Sequence, residues 1–310
     1  MQSVVIGVDG GGSKTRAVLA NERGSHLAEA TGAGSAVHPM DIERSAAVIA
    51  TVVRDVLQQA KPAGAHVKVL CVGVAGVGRE PARSALHDAL TREALADDVL
   101  VEPDFAVALD DAFGDGTGVL LVSGTGSSAF GRGPTGATAR AGGWGPAIGD
   151  EGGGAWIGRR ALSVVAAAAD GREPETALTG AILTTLELEG AEHLIPWAAA
   201  ATPAMVATLA PVVLTVAAGG DLRANSIVSL AVEELALHVR ALARRLFSDE
   251  RASVPVAFAG GLLAPGSLLR KRLEHRLKSA VPGAHVHANE IDPARGAVRA
   301  ALRHLASTNA

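Results

Sequence analysis

Residues 3–21 have the sequence SVVIGVDGGGSKTRAVLAN, and residues 118–132 have the similar sequence GVLLVSGTGSSAFGR. Each stretch begins with an apolar run, passes through a glycine-rich turn and then alternates between apolar and polar residues. This pattern predicts two β-strands joined by a tight turn. Further strands and helices follow both stretches in a similar order. We therefore predict an α/β fold built from two duplicated passages, each with a partly parallel sheet.

Length and composition limit the class of protein. The chain has 310 residues, which at roughly 150 residues per domain suggests two domains. The net charge of −4 argues against nucleic acid or an anionic membrane surface as a partner. Cys71 is the single cysteine, so no intramolecular disulfide and no cysteine-based zinc site is expected. Neither a signal sequence nor an apolar run of about 18 residues is present, so we expect a soluble cytoplasmic protein.

The first glycine-rich turn, residues 9–15, combines groups that suit a phosphate. Successive glycines let backbone amides surround an anion, and Asp9 at the strand end could reach a phosphate-bound Mg²⁺ through water. The turn is not a Walker A motif, because Ser13 and not glycine precedes Lys14. It is not the dinucleotide fingerprint either, because a strand follows it. The alternative interpretation is a tight hairpin that needs glycine for its backbone angles.

Two further glycine turns follow predicted strands. Gly124–Ser127 repeats the first turn in the second half of the chain, which suggests a nucleotide whose phosphates contact both turns. Gly260-Gly261 follows the strand VPVAFA, where the absence of side chains would let an adenosine lie on the backbone. Each of these turns could also be a plain glycine turn.

Acidic residues near strand ends are candidates for proton transfer and substrate binding. Asp104 follows a short strand, where α/β sheets place their ligands, and it is either a general base or a helix N-cap. Asp110 and Asp111 are expected on the surface of the helix that follows. The segment GGWGPAIGDEGGG at 142–154 is either a helix-capping loop or a sugar-binding loop, with Trp144 as an apolar wall and Asp150 as a hydroxyl acceptor.

Four segments together resemble the N-acetylglucosamine kinase branch of the BadF/BadG/BcrA/BcrD ATPase family, within the superfamily of actin, sugar kinases and Hsp70. They are VDGGGSKTRAVLA (8–20), VSGTGSSAFG (122–131), GGWGPAIGDEGGGAWIGRRAL (142–162) and FAGGLLAPGSLLRKRL (258–273). The resemblance implies two duplicated ribonuclease H-like (actin-like ATPase) domains with an ATP cleft between them. The expected domains are residues 1–115 and 116–292, with the terminal helix from about residue 293 packed back on the first.

The resemblance also implies an activity and a set of site residues. It implies ATP-dependent phosphorylation of the 6-hydroxyl of an amino sugar, with N-acetylglucosamine as the expected substrate, Asp104 as catalytic base and Asp9 at the Mg²⁺. The implied ATP-binding residues are Gly10, Gly11, Gly12, Ser13, Lys14, Thr15, Gly124, Thr125, Gly126, Ser127, Gly260 and Gly261. The implied sugar-binding residues are Ser35, Asp104, Gly143, Trp144, Gly145 and Asp150.

Two departures from the family pattern keep other substrates open. Ala36 stands where the family often has an asparagine, and Gly153 stands where it has a serine. Glucosamine and N-acetylmuramic acid therefore stay alternatives.

An ATPase that activates a partner enzyme is less expected, because the cysteines that hold an iron–sulfur cluster in that branch are missing and Cys71 lies in an apolar run. A non-catalytic sugar sensor is a third class. A homodimer is common in the family.

Overall fold

The computed structural model describes residues 3–38, 40–60, 66–78, 80–247, 252–288 and 290–308. The chain forms two compact units, Met1–Gly116 with Ile291–Ala310 and Thr117–Glu290. In chain order the first unit contains β1 (Ser3–Gly10), β2 (Lys14–Asn21), β3 (His26–Ala33), α1 (Ile42–Ala60), β4 (His66–Val74), α2 (Glu80–Arg92), β5 (Asp98–Pro103) and α3 (Asp104–Phe113).

The second unit contains three strands, then a long helical region, then two more strands with a helix between them. Its elements are β6 (Gly118–Ser123), β7 (Ser127–Arg132), β8 (Thr138–Gly142), α4 (Gly154–Ala169), α5 (Ala177–Leu186), α6 (Leu194–Ala200), α7 (Pro203–Ala207), α8 (Ala210–Ala218), α9 (Leu222–Leu246), β9 (Val254–Ala259), α10 (Leu268–Ala280) and β10 (Ala284–Val286). The last helix, α11 (Pro293–Thr308), belongs to the first unit.

The two sheets have the same topology. The strand order is β3-β2-β1-β4-β5 in the first unit and β8-β7-β6-β9-β10 in the second. In each sheet the first three strands are antiparallel neighbours, and the last two run parallel to the first. This repetition confirms the predicted duplication of an α/β passage.

Strand β1 shows how the sequence places the core. Val4, Ile6 and Val8 face one side of the sheet, in the same apolar cluster as buried residues of α1. Val5 faces the other side and packs with α11 residues such as Ala297. Both sides of this central strand are therefore buried, which explains its continuous apolar run. Burial of each such side chain contributes about 1.5–3 kcal/mol relative to exposure.

The helical region of the second unit is interrupted near glycine and proline residues, among them Gly171, Pro203 and Gly219-Gly220. Polar side chains cap several helix starts; the Asp221 carboxylate, for example, accepts the backbone N–H of Ala224 at 2.9 Å at the start of α9. No single helix in the described ranges is long and apolar enough to span a membrane. The bent pair of residues 203–218 and 222–246 meets those criteria only when the two segments are taken together.

Helix α3 differs from the prediction in two respects. Pro103 occupies the N-cap position, so Asp104 is the first residue of the helix and not its cap. The predicted surface positions of Asp110 and Asp111 are wrong: the two residues are only 8% and 7% exposed. Their carboxylates are buried against arginines of α11, which lie nearly two hundred residues away in the sequence.

Candidate functional site

The first glycine turn forms the tip of the β1–β2 hairpin. Gly10 pairs with Thr15 across the two strands, and the backbone N–H of Gly11 donates to the carbonyl of Lys14 at 2.9 Å. Gly12 and Ser13 are exposed at the tip. Within the described residues, no backbone hydrogen bond uses the N–H groups of Gly12 and Ser13. These two amides can therefore donate to an anion.

The hydroxyl groups near this hairpin point into the protein. The Thr15 hydroxyl donates to the carbonyl of Ala33 at 2.6 Å. The Ser35 hydroxyl oxygen lies 2.8 Å from the Thr15 hydroxyl oxygen. Ser35 is 1% exposed, and the backbone N–H groups of Ser35 and Ala36 donate to the carbonyl of Gly11. Thr15 and Ser35 thus support the hairpin from behind. A sugar contact by Ser35 stays a prediction.

Three carboxylates influence one another beside this hairpin. Burial, which has the largest effect, and the negative charges of Asp104 and Asp292 together raise the pKa of Asp9 to about 6, against the opposing effect of Lys14 and Arg16. Asp292 immediately precedes α11, and its two carboxylate oxygens each lie 2.9 Å from Nη1 of Arg16. The sequence analysis missed Asp292; its position directly before a helix-starting proline was the available signal.

Asp104 lies at the edge of the sheet that also holds Asp9. Strands β1 and β5 both run parallel to β4, so Asp9 near the end of β1 and Asp104 just after β5 lie at the same edge. The Asp104 carboxylate accepts the backbone N–H of Phe105 at 2.9 Å. Solvent reaches the residue, yet the surrounding protein removes part of the hydration of its carboxylate, and this desolvation raises its pKa despite the hydrogen bond.

The second glycine turn forms the tip of the β6–β7 hairpin and is joined to the start of α4. Ser123 pairs with Ser127, and the N–H of Gly124 donates to the carbonyl of Gly126 at 2.9 Å. Four hydrogen bonds connect the hairpin to residues 151–155. They are Ser123 Oγ to Gly152 O (2.9 Å), Ser127 Oγ to Glu151 O (2.5 Å), Gly154 N to Gly124 O (2.7 Å) and Ala155 N to Thr125 O (2.9 Å).

These bonds decide which amides stay available. The first N–H groups of α4 are used by carbonyls of the hairpin, so they do not form an anion site. The N–H groups of Thr125 and Gly126 make no backbone hydrogen bond within the described residues. They are the donors that this hairpin offers.

The loop between β8 and α4 brings Trp144 and Asp150 to the same region as the second hairpin. Asp150 has a left-handed backbone (φ 60°), and its Oδ1 accepts the N–H of Gly145 at 3.0 Å. Trp144 is 68% exposed, with the guanidinium of Arg140 5.6 Å from its ring centre. A cavity of about 320 Å³ is lined by Val122, Gly124, Thr125, Gly126, Ser127, Ser128, Gly143, Gly145 and Asp150.

The close packing of the second hairpin explains why a glycine occupies position 153, where the family has a serine. A Cβ at this position would lie 2.5 Å from the backbone carbon of Gly126, where no side chain fits without a shift of the hairpin. The departure from the family serine is therefore matched to the close approach of the hairpin and α4.

The third glycine turn lies next to the second hairpin. Gly260 has φ 90° and packs against the backbone of Ser123, and Gly261 begins a short 3-10 turn. Behind this turn lies Arg270, a buried residue that the sequence analysis missed. Its guanidinium stacks 5.3 Å from the ring centre of Phe258, and its Nε donates to Glu274 at 2.7 Å. These contacts fix the segment that follows β9.

Near Ala36 the first unit has a cavity of about 310 Å³. It is lined by Gly34, Ala36, His38, Met40, Asp41, Arg44 and Ser45. The hydroxyl of Ser45 donates to the carbonyl of Ala36 at 3.2 Å. Ala36, at the position of the family asparagine, therefore lines this cavity with a methyl group and no side-chain hydrogen-bonding group.

Two sheets with the same strand order, each with a glycine hairpin after its first strand, are the repeated architecture of the actin-like ATPase fold. The chain belongs to the BadF/BadG/BcrA/BcrD ATPase family, whose model matches residues 6–303. This result confirms the resemblance that the four sequence segments indicate.

Named relatives cover nearly the whole chain. An N-acetylmuramic acid/N-acetylglucosamine kinase from Clostridium acetobutylicum is 31% identical, over 95% of this chain and 96% of the relative. An N-acetyl-D-glucosamine kinase from Dictyostelium discoideum is 30% identical, over 97% of this chain and 98% of the relative. A crystal structure from Chromobacterium violaceum, provisionally named N-acetylglucosamine kinase, is 32% identical with a TM-score of 0.77, and the match covers 95% of this chain and 97% of that one.

Proposed function

We propose that this protein transfers the γ-phosphoryl group of ATP to the 6-hydroxyl of an amino sugar, with N-acetylglucosamine as the substrate. The names of the relatives support the substrate class. The observation that carries the proposal is the pair of carboxylates Asp9 and Asp104 at one edge of the first sheet. Phosphoryl transfer needs charge neutralisation beside the phosphates and a base at the attacking hydroxyl, and this pair provides one group for each task.

Asp104 is the proposed general base. Desolvation raises its pKa, which makes the carboxylate a stronger base than an ordinary aspartate. It would accept the proton of the sugar hydroxyl as that oxygen attacks the γ-phosphorus. General-base catalysis of this kind contributes about 10²–10⁴-fold to the rate.

The glycine hairpins are the proposed phosphate-binding elements, one in each unit. The N–H groups of Gly12 and Ser13 are available in the first hairpin, and those of Thr125 and Gly126 in the second. Lys14, which is exposed beside the first hairpin, adds a positive charge. Gly260 and Gly261 are the proposed adenosine contacts, because their backbone offers a surface without side chains.

Asp9 is the residue that would hold Mg²⁺. Its carboxylate is the hard oxygen donor that Mg²⁺ prefers, and the neighbouring charges of Asp104 and Asp292 strengthen the attraction for a cation. Among the described residues, no three acidic, histidine or cysteine side chains form a complete metal cage. This fits Mg²⁺, which usually binds through one or two carboxylates and keeps several waters. When bound, the ion neutralises charge on the phosphates.

Trp144 and Asp150 are the proposed sugar contacts of the second unit. The exposed ring of Trp144 is an apolar surface for an N-acetyl group, and Asp150 Oδ1 is held in place by the N–H of Gly145. Oδ2 of Asp150 faces Gly126 in the lining of the cavity, where it can accept a hydrogen bond from a sugar hydroxyl. Gly143 and Gly145 give this loop its left-handed turns.

The burial of Cys71 counts against the partner-activating ATPase. Cys71 lies fully buried on β4, and desolvation raises the pKa of its thiol. A cluster ligand must be a thiolate at an accessible position, so this cysteine does not suit an iron–sulfur cluster.

An ADP-release assay with Mg·ATP tests the proposal. The sugar panel contains N-acetylglucosamine, glucosamine, N-acetylmuramic acid, N-acetylmannosamine and glucose. We expect ADP formation to depend on sugar and to be fastest with N-acetylglucosamine. The matched control is 6-deoxy-N-acetylglucosamine, which lacks the proposed acceptor and should give no phosphorylated product. A faster reaction with another hexosamine would reassign the substrate, whereas equal ADP release without sugar would favour the partner-activating ATPase.

A further inference from the structure

Asp111 is a charged residue in the interior of the first unit. Its side chain has no exposed surface. Oδ1 accepts Nε of Arg295 at 2.6 Å, and Oδ2 accepts Nη2 of Arg295 at 2.7 Å together with the backbone N–H of Asp292 at 2.8 Å. The guanidinium therefore binds the carboxylate through two parallel bonds, which fix both distance and orientation.

The same face of α11 holds α3 at further points. Arg299, one turn after Arg295, donates to the backbone carbonyl of Asp111 at 2.9 Å. Arg303, one turn later again, forms an ion pair with Asp110. Between these side chains Gly296 approaches α3 so closely that a Cβ there would overlap the carbonyl oxygen of Val107. Helix α3 is thus fixed to α11 by side chains and by backbone contact.

This attachment connects the two carboxylates that the proposed reaction uses. Asp104 is the first residue of α3, and Asp111 lies two helical turns after it. Asp292 donates its backbone N–H to Asp111, and its carboxylate accepts a hydrogen bond from the guanidinium of Arg16. Arg16 on β2 lies directly opposite Asp9 on β1 in the antiparallel strand register. One continuous set of contacts therefore runs from the helix of Asp104 to the strand position of Asp9.

We propose that Asp111 and Arg295 are positioning residues for Asp104, which they hold at its catalytic place by fixing the register of α3 on α11. The inference rests on the proposed function. Burial of the Asp111 carboxylate costs hydration that its pairing with the half-exposed Arg295 guanidinium has to offset, so stability alone does not account for the pair. An arginine–carboxylate pair with two parallel hydrogen bonds fixes the position of one helix relative to the other. An apolar contact is not directional and therefore fixes that position less tightly. Small displacements of a reacting group have large effects on rate.

The test compares Asp111→Asn, Arg295→Gln and Arg295→Lys with the wild-type protein in the ADP-release assay. Rates are expressed per ATP-binding site, counted by titration with a non-hydrolysable ATP analogue, so that unfolded molecules do not contribute. We expect kcat to fall about 10- to 100-fold in Asp111→Asn and Arg295→Gln, with KM for ATP and for sugar within about threefold of wild type. Arg295→Lys keeps the charge without the two parallel bonds and should lose an intermediate part of the rate.

Two further measurements separate positioning from general stability. The double variant Asp111→Asn/Arg295→Gln should be no slower than the slower single variant by more than about twofold, because the residues act as one unit. The matched control is Leu305→Ala, which removes a partly buried apolar contact at the far end of α11. It should lower Tm while leaving kcat per ATP-binding site unchanged.

The proposal is overturned if Asp111→Asn and Arg295→Gln keep wild-type kcat per ATP-binding site, or if Leu305→Ala slows turnover as much as they do. Absence of sugar-dependent turnover in the wild-type protein would instead refute the proposed function. Full activity in Asp104→Asn would remove the base that the pair is inferred to position.

Discussion

The two glycine hairpins occupy matching places in the two sheets but have different surroundings. In the first hairpin Gly10 pairs with Thr15, and in the second Ser123 pairs with Ser127. One residue before these pairs, the first unit has Asp9 and the second has Val122. The first hairpin is accordingly surrounded by charged side chains, whereas the second is held by backbone and serine hydroxyl bonds to the start of α4.

This difference shows how a duplicated fold can divide one reaction. The strand pairing repeats because apolar β-branched residues and a glycine turn produce the same hairpin twice. The electrostatic environment does not repeat, because Asp9, Asp104 and Asp292 influence one another beside the first hairpin, whereas the second has Val122 at the strand end and the single carboxylate of Asp150 facing Gly126. Proton and cation chemistry is therefore expected from the first unit, and neutral hydrogen-bond donors from the second.

The largest expected effect is the loss of the base in the charged unit. Asp104→Asn should lower kcat by about 10²–10⁴-fold and leave the affinity for an ATP analogue within about threefold. The matched control is Glu102→Gln, which neutralises a neighbouring carboxyl group whose pKa is also raised by burial. Steady-state ADP release and calorimetric titration measure both quantities. A kcat above one-tenth of wild type in Asp104→Asn would show that this charge is not the base.

Asp9→Asn should change stability and activity in opposite directions. Because burial and its acidic neighbours raise the folded-state pKa of Asp9 from 3.8 to about 6, the ionised carboxylate costs stability above pH 6, and the cost disappears below the unfolded value. The variant should therefore be more stable by about 2–3 kcal/mol at pH 8 and equally stable at pH 3.5. Denaturant unfolding at the two pH values measures this.

The same variant should lose turnover with Mg·ATP. In the wild-type protein the KM for Mg·ATP should rise as the pH falls through about 6, since a protonated Asp9 no longer attracts the cation. A pH-independent KM between 5 and 8 would contradict the assignment of Asp9. Val122→Ala, at the equivalent strand position of the second unit, should show no pH-dependent change in stability.

A methyl group added next to the buried side of either hairpin should destabilise the protein by a similar amount. A Cβ at Gly34 would lie 2.3 Å from the carbonyl oxygen of Gly12, and a Cβ at Gly153 would lie 2.5 Å from the backbone carbon of Gly126. Gly34→Ala and Gly153→Ala should each cost about 1–3 kcal/mol of stability and raise KM for ATP. In contrast, Gly124→Ala meets no atom within 4 Å and should unfold like wild type. Similar stability of all three variants would show that the close approaches are not tight.

The smallest effect is expected at the exposed loop of the second unit. Arg140→Gln removes the cation beside the ring of Trp144. Cation–π contacts at exposed sites contribute about 0.5–1 kcal/mol, so KM for the sugar should rise about two- to fivefold. Arg160→Gln removes a similar contact with Trp156 in α4 and serves as control. Equal KM values for wild type and Arg140→Gln would show that Arg140 does not orient Trp144.

Local features of the fold were predictable because they depend on neighbouring residues. The strands around both glycine turns and the breaks between helices follow from runs of apolar residues and from glycine or proline. The burial of Asp111 was not predictable in this way, because its partner Arg295 is distant in sequence and a helical Asp-Asp pair normally indicates a solvated face. Ser35 likewise appears accessible in the sequence, but the pairing of β2 with β3 brings it against Thr15.

For the candidate site, the sequence indicated which loops form it. It did not indicate which contacts the individual side chains make. Glycines after predicted strands indicated the three turns. Asp292 and Arg270 were missed, although Asp292 precedes a helix-starting proline and Arg270 lies in the segment 258–273. Their contacts depend on where α11 and α10 pack, which is a property of the whole unit.

The position of α11 in the chain has a consequence for synthesis. The first sheet is covered on one side by a helix that is translated only after the entire second unit, residues 117–290. At about 5–20 residues per second, the first unit waits on the order of ten to thirty seconds for its last helix, with Val5 and its apolar neighbours still uncovered on that side. During translation the second unit can therefore complete its fold before the first, although its sequence comes later.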